Sequence, residues 1–115
     1  LLSVEQAAIV GGLSIASGVL TFSRNVMMTV GKDLIPLNGL GALVAILSHA
    51  IVVHFYAQFG VPVSTSQAIV GAVLGVGMLL GRRIRYDKLR RVFQAWIMTP
   101  MIAGFLTVIF IRLFL

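Results

Sequence analysis

Four small polar residues, Ser64, Thr65, Ser66 and Gln67, stand in a row between a backbone break and an apolar run. Hydroxyls and a carboxamide donate and accept hydrogen bonds without carrying charge, so the chemistry open to them is binding rather than acid–base work. Gly60 and Pro62 come just before; the two cannot share a regular helix without strain and a missing N–H donor. Residues 68–80 then read as a continuous apolar stretch. A Ser or Thr before such a run opens a helix, because its hydroxyl accepts from the free amides of the first turn. The pattern predicts a helix starting between Ser64 and Ser66, its unpaired amides and positive dipole end suited to an anion.

Other chemistry finds little support. Glu5, Asp33 and Asp87 fall at the start of the chain or in connecting segments, so no carboxylate pair for acid–base catalysis can form inside an apolar region. His49 and His54 are about 140° apart on one helix and cannot ligate a single metal ion from one face. Each is a candidate for a proton path, or else a neutral imidazole bonded to a neighbour, with Gln58 one turn beyond His54. Cysteine is absent, which removes thiol catalysis, thiolate metal sites and disulfides. The residues favour binding over enzymatic catalysis. A purely structural cap is the plain alternative for Ser64 to Gln67, yet capping occupies only one or two hydroxyls, and a buried hydroxyl left unpaired costs roughly 1–3 kcal/mol.

The elements that hold these residues belong to a membrane protein. Of 115 residues 59% are hydrophobic and 10% charged, where soluble domains carry about 25% charge. The mean hydropathy is +1.07. A span takes roughly 20 apolar residues, and four segments qualify: about 4–22, 39–59, 61–81 (broken or capped at its start) and 92–115, together one transmembrane helical domain. The Gly60–Pro62 break then lies within or at the edge of a bilayer, where irregular backbone survives only against protein or a watery cavity.

Small residues such as Gly11, Gly12 and Gly18 suit the first span to packing against protein more than lipid, and Gly71/Gly75 and Gly77/Gly81 form two GxxxG pairs for helix contact. Residues 23–38 read as a connecting segment with at most an interfacial amphipathic turn or two. Thr99–Pro100 is a second candidate kink or break. The net charge is +6, and six of the nine basic residues sit in 82–91. Beside apolar spans that cluster reads as a cytoplasmic loop anchored at lipid headgroups, not as a nucleic-acid site. If 61–81 crosses the membrane, this loop and Arg24/Lys32 share one side. Trp96 fits the aromatic belt. The chain opens without Met and starts and ends in apolar sequence, so it is expected to be a half-unit or a truncation.

VPVSTSQAIVGAVLGVGMLLG, from Val61, resembles the VPVSTTH-type stretch of the inorganic phosphate transporter family, the sodium- or proton-coupled phosphate permeases. GVLTFSRNVMMTVGKDLIPL resembles that family's segment ending in TVGK, and AWIMTP at 95–100 its AWxxTP, in matching order over nearly the whole chain. The resemblance implies an all-α polytopic membrane protein, the C-terminal half of an inverted-repeat transporter with a broken or re-entrant helix. It implies that Ser64, Thr65 and Ser66 contribute to phosphate binding near the midplane, facing counterparts in the N-terminal repeat, and Gln67, the last of the polar row, completes the candidate substrate-binding set. It further implies a sodium ion or proton as coupling cation, a cell-membrane location and a homo-oligomer. Gln67 stands where the family usually has His and Ser66 where it has Thr, which bears on selectivity and proton coupling. The family's Gly-Ala-Asn-Asp-type motif is expected upstream, so the chain alone should lack a complete site. Alternatives are a non-transporting membrane assembly module, half-size or truncated, and a permease for a related oxyanion such as sulfate.

Overall fold

The computed structural model describes residues 3–114, and their regular secondary structure is all helix. Helix α1 is Val4–Met28, α2 Gly39–Gln58, α3 Thr65–Leu79 and α4 Tyr86–Phe114, with a π-helical turn, Thr29–Asp33, continuing α1. Three helical stretches, Val4–Asp33, Gly39–Gln58 and Tyr86–Phe114, are long and apolar enough to cross a membrane; α3 is the short fourth.

Local chemistry sets the boundaries. Ser3 and Gln6 cap α1 reciprocally: the Gln6 amide donates to Ser3 Oγ at 3.2 Å and the Ser3 amide to Gln6 Oε1 at 3.1 Å. Asn38 caps α2 by accepting from the Gly41 amide at 2.9 Å. Helices α2 and α3 end alike, on a glycine in the left-handed region: Gly60 at φ +67 and Gly81 at φ +62. After α3, the Arg82 amide returns to the Gly77 carbonyl at 2.8 Å and the Gly81 amide to that of Met78 at 3.1 Å. After α2, Val61 bonds back to Tyr56 at 3.2 Å and Gly60 to Ala57 at 3.1 Å. Gly81 thus closes α3 rather than serving as a helix contact. Gly81→Ala is expected to lower stability by about 1–2 kcal/mol, since an L side chain disfavours this conformation by that much. Denaturant titration in detergent micelles checks it.

Helices α2 and α3 lie antiparallel. A Cβ at Gly41, in the first turn of α2, would sit 3.2 Å from Leu80 Cδ1 and 3.5 Å from Val76 Cγ1, at the end of α3. Their shared core is Ala45 with Val70, Val73 and Val76. Leu34 and Ile35, both 0% exposed, plug the end of this pair where the π-turn hands over to α2. The Arg85 amide donates to the Leu34 carbonyl at 3.1 Å, so the 29–38 and 80–85 segments meet at one end of the pair.

Several expectations are corrected. Helix α1 does not stop near Phe22; with no Gly or Pro between Phe22 and Gly31 nothing breaks it there, and it absorbs Arg24 and Asn25. The basic segment 82–91 is loop only through Arg85, since α4 starts at Tyr86 with Asp87 complementing the dipole in its first turn. Thr99–Pro100 does not break α4, which is helical on both sides of Pro100. Thr99 Oγ1 donates to the Ala95 carbonyl at 2.7 Å, adding a side-chain bond in the turn where Pro100 supplies no amide. Gly71 and Gly75 meet nothing within 4 Å, and neither do Gly11, Gly12 and Gly18 of α1. Nothing among the described residues occupies those small-residue faces. The hydroxyls of α1 turn inward to their own helix instead, Ser14 to the Val10 carbonyl and Thr21 to that of Ser17, each at 2.8 Å.

Candidate functional site

The predicted cap forms at Ser64. Its backbone is extended (φ −71, ψ 112), and its Oγ accepts from the Gln67 amide at 3.4 Å. The first in-register helical bond runs from the Ala68 amide to the Ser64 carbonyl at 3.0 Å. The amides of Thr65 and Ser66 have no partner among the described residues, the two donors a helix start offers outward.

Ser64 Oγ and Ser66 Oγ stand 3.1 Å apart and share a hydrogen bond. The side chains of Thr65 and Gln67 make no hydrogen bond among the described residues. All four side chains are exposed in the isolated chain. The cap therefore uses Ser64 and ties Ser66 to it, while Thr65, Gln67 and two amides stay available.

Geometry also sets the level of the cap along the bundle. Helix α2 has 20 residues and α3 has 15, lengths of about 30 Å and about 22 Å at the helical rise. Because the end of α3 is level with the start of α2, its first turn begins roughly 8 Å short of the far end of α2. The extended 61–64 segment makes up the difference.

Ser66 alone of the four lines a cavity of about 640 Å³ between the end of α1, the α2–α3 pair and the start of α4. Its other polar lining is Asn25, Thr29, Lys88 and Arg91. The two cations were grouped with a loop on sequence grounds; the structure puts them on α4. The spacing Lys88, Arg91, Val92, Ala95, Trp96 is one helical face, and that was the signal available to find them.

The histidines stand apart from the cavity. His54 Nε2 lies 3.3 Å from Gln58 Nε2, the pairing anticipated one turn on. His49 Nε2 is buried without a partner.

An antiparallel pair of apolar helices, broken between them and restarted on a hydroxyl cap inside the length of its neighbour, defines a multi-pass helical membrane protein with an interrupted segment. The comparisons with known proteins make this specific. The model of the Phosphate transporter family matches residues 4–107, and the chain belongs to that family. Sodium-dependent phosphate transporter 1-A of Danio rerio is 35% identical over 105 residues, covering 90% of this chain and 16% of its own length. Sodium-dependent phosphate transporter 2 of Cricetulus griseus is 32% identical over 106 residues, covering 91% and 16%. A Pyrococcus abyssi relative is 36% identical over 104 residues, covering 90% and 26%. The chain thus spans between about a sixth and a quarter of these relatives. No solved structure gives a significant match.

Proposed function

We propose that this chain works as part of a cation-coupled inorganic phosphate permease, with the start of α3 as one wall of the phosphate site. The observation that carries this is the pair of unpartnered amides at Thr65 and Ser66, beside three hydroxyls, at a helix start held within the length of α2. Phosphate oxygens accept from these amides and from the Thr65 and Ser66 hydroxyls, with Gln67 contributing its carboxamide; the helix dipole favours the anion without a buried cation.

Ser64 chiefly holds the turn in shape. Sodium is the coupling cation we favour, from the names of the vertebrate relatives. The open faces at Gly11, Gly12 and Gly18 of α1 and at Gly71 and Gly75 of α3 suit close helix approach, and we assign them to the other repeat of the transporter or to a second copy. The basic 82–91 stretch faces the cytoplasm in this reading, together with Lys32, because the two segments meet at Leu34 and Arg85.

Uptake of radiolabelled phosphate by membranes holding the chain in its native assembly tests the site. Thr65→Ala and Ser66→Ala should each raise the KM for phosphate by about tenfold or more, since a hydrogen bond to a charged group contributes about 1.5–3 kcal/mol. Unaltered kinetics in both variants would sink the site. Replacing sodium by choline should abolish uptake, and excess sulfate should not compete.

A further inference from the structure

We propose that the cavity between α1, the α2–α3 pair and α4 is a binding site for an anionic phospholipid, its phosphate on Lys88 and Arg91 and an acyl chain running inward past Trp96. The cavity shares Ser66 with the phosphate site proposed at α3, but the lipid reading rests on Lys88, Arg91 and the apolar walls and not on that residue. Lys88 and Arg91 are one turn apart on the α4 face that borders the cavity, and Val92, Ala95 and Trp96 continue that face inward. Eight residues separate Lys88 from Trp96, about 12 Å along the helix. Charge at the mouth followed by an apolar wall is the order of a lipid's own parts.

The opposite wall is mostly apolar, with Val26 and Val30 from the end of α1, Ile46 from α2 and Val70 from α3, interrupted by Asn25, Thr29 and Ser66. No acidic side chain lines the cavity. About 640 Å³ is within the range of ligand pockets. Basic pockets between membrane helices take lipid headgroups, and Arg82, Arg83, Arg85 and Arg90 strengthen the positive field at the same end of the chain. A free inorganic anion would have the two cations but would find, along the walls beyond them, mostly groups unable to replace its water. Charge complementarity and the apolar walls together select the lipid.

Trp96 is the one tryptophan in the chain and lines the cavity, so it reports on occupancy. The full chain in zwitterionic micelles is titrated with phosphatidylglycerol or phosphatidylcholine carrying bromine on the acyl chains, which quenches indole fluorescence on contact. Phosphatidylglycerol should quench at the lower mole fraction. Its advantage should fall by about fivefold for each charge removed in Lys88→Gln and Arg91→Gln. Arg82→Gln with Arg83→Gln, outside the cavity lining, should keep most of the advantage.

The wild-type chain supplies a second reading that needs no variant: raising salt should narrow the gap between the two lipids. Equal quenching by both lipids would overturn the proposal. So would a preference that survives loss of both Lys88 and Arg91 or ignores salt. Relief of quenching by millimolar inorganic phosphate, in wild type and in Ser66→Ala alike, would give the cations to a free anion instead.

Discussion

Gly77→Ala is expected to disrupt the packing of the α2–α3 pair, and Ile35→Ala in the same chain to restore part of the loss. A Cβ at position 77 would lie 2.6 Å from Ile35 Cδ1 and 2.7 Å from Cγ2, closer than carbon atoms tolerate. Ile35 cannot swing aside easily, for it is fully buried at the end of the pair next to Leu34. Overpacking of this kind costs about 1–3 kcal/mol. Ile35→Ala alone leaves a cavity and is itself destabilising, by about 2–5 kcal/mol. In the double variant the added methyl occupies space the isoleucine vacated, so the two losses should sum to less than their separate values. Denaturant titration of all four forms in detergent measures the coupling; strictly additive losses would mean that Gly77 and Ile35 do not touch. The same contact links the segment after the π-turn to α3, so Gly77→Ala should also loosen the 80–85 segment, whose Arg85 amide is bonded to Leu34.

That contact shows where sequence reasoning reaches its limit. The start of α3 was legible because it is local: a break at Gly60 and Pro62, a serine to cap, then an apolar run. The sharp end of α3 at Gly81 is local too, yet the GxxxG spacing of Gly77 and Gly81 masked it, since one pattern serves both a helix contact and a helix stop. The burial of Leu34 and Ile35 was not legible. They sit beside Asp33 and Pro36 in what reads as a link, and only the return of α3 some forty residues later covers them.

The extent of α1 and α4 was hidden by charge. Arg24, Lys88 and Arg91 look like the edges of spans, but charged residues do not end helices, and both helices simply run on beyond the apolar core. Twenty-nine residues in α4 make about 43 Å against a hydrocarbon thickness of about 30 Å. The helix is thus longer than the hydrocarbon it would cross, and its first turns carry the charge, with Lys88 and Arg91.

Ser66→Asp is the variant expected to separate phosphate binding from helix stability most widely. A carboxylate in the first turn of α3 favours the helix by about 0.3–1 kcal/mol through the dipole, so the folded chain should be at least as stable as wild type. The same carboxylate would stand in the position proposed for a phosphate oxygen. Two like charges about 4 Å apart at an effective dielectric of about 20 repel by about 4 kcal/mol, close to a thousandfold in affinity. Uptake of labelled phosphate should fall to background while thermal unfolding in detergent is unchanged or shifts upward. Ser66→Asn, a neutral side chain of similar size that also caps and accepts, should keep far more of the activity. If Ser66→Asp transported phosphate at the wild-type rate, the start of α3 would be a cap and nothing else. The hydroxyl bond between Ser64 and Ser66 sharpens the comparison: it is lost in Ser66→Ala, whereas Ser66→Asp can accept it from the Ser64 hydroxyl. Failure of transport in Ser66→Asp with the turn intact would then trace to charge and not to a disordered cap.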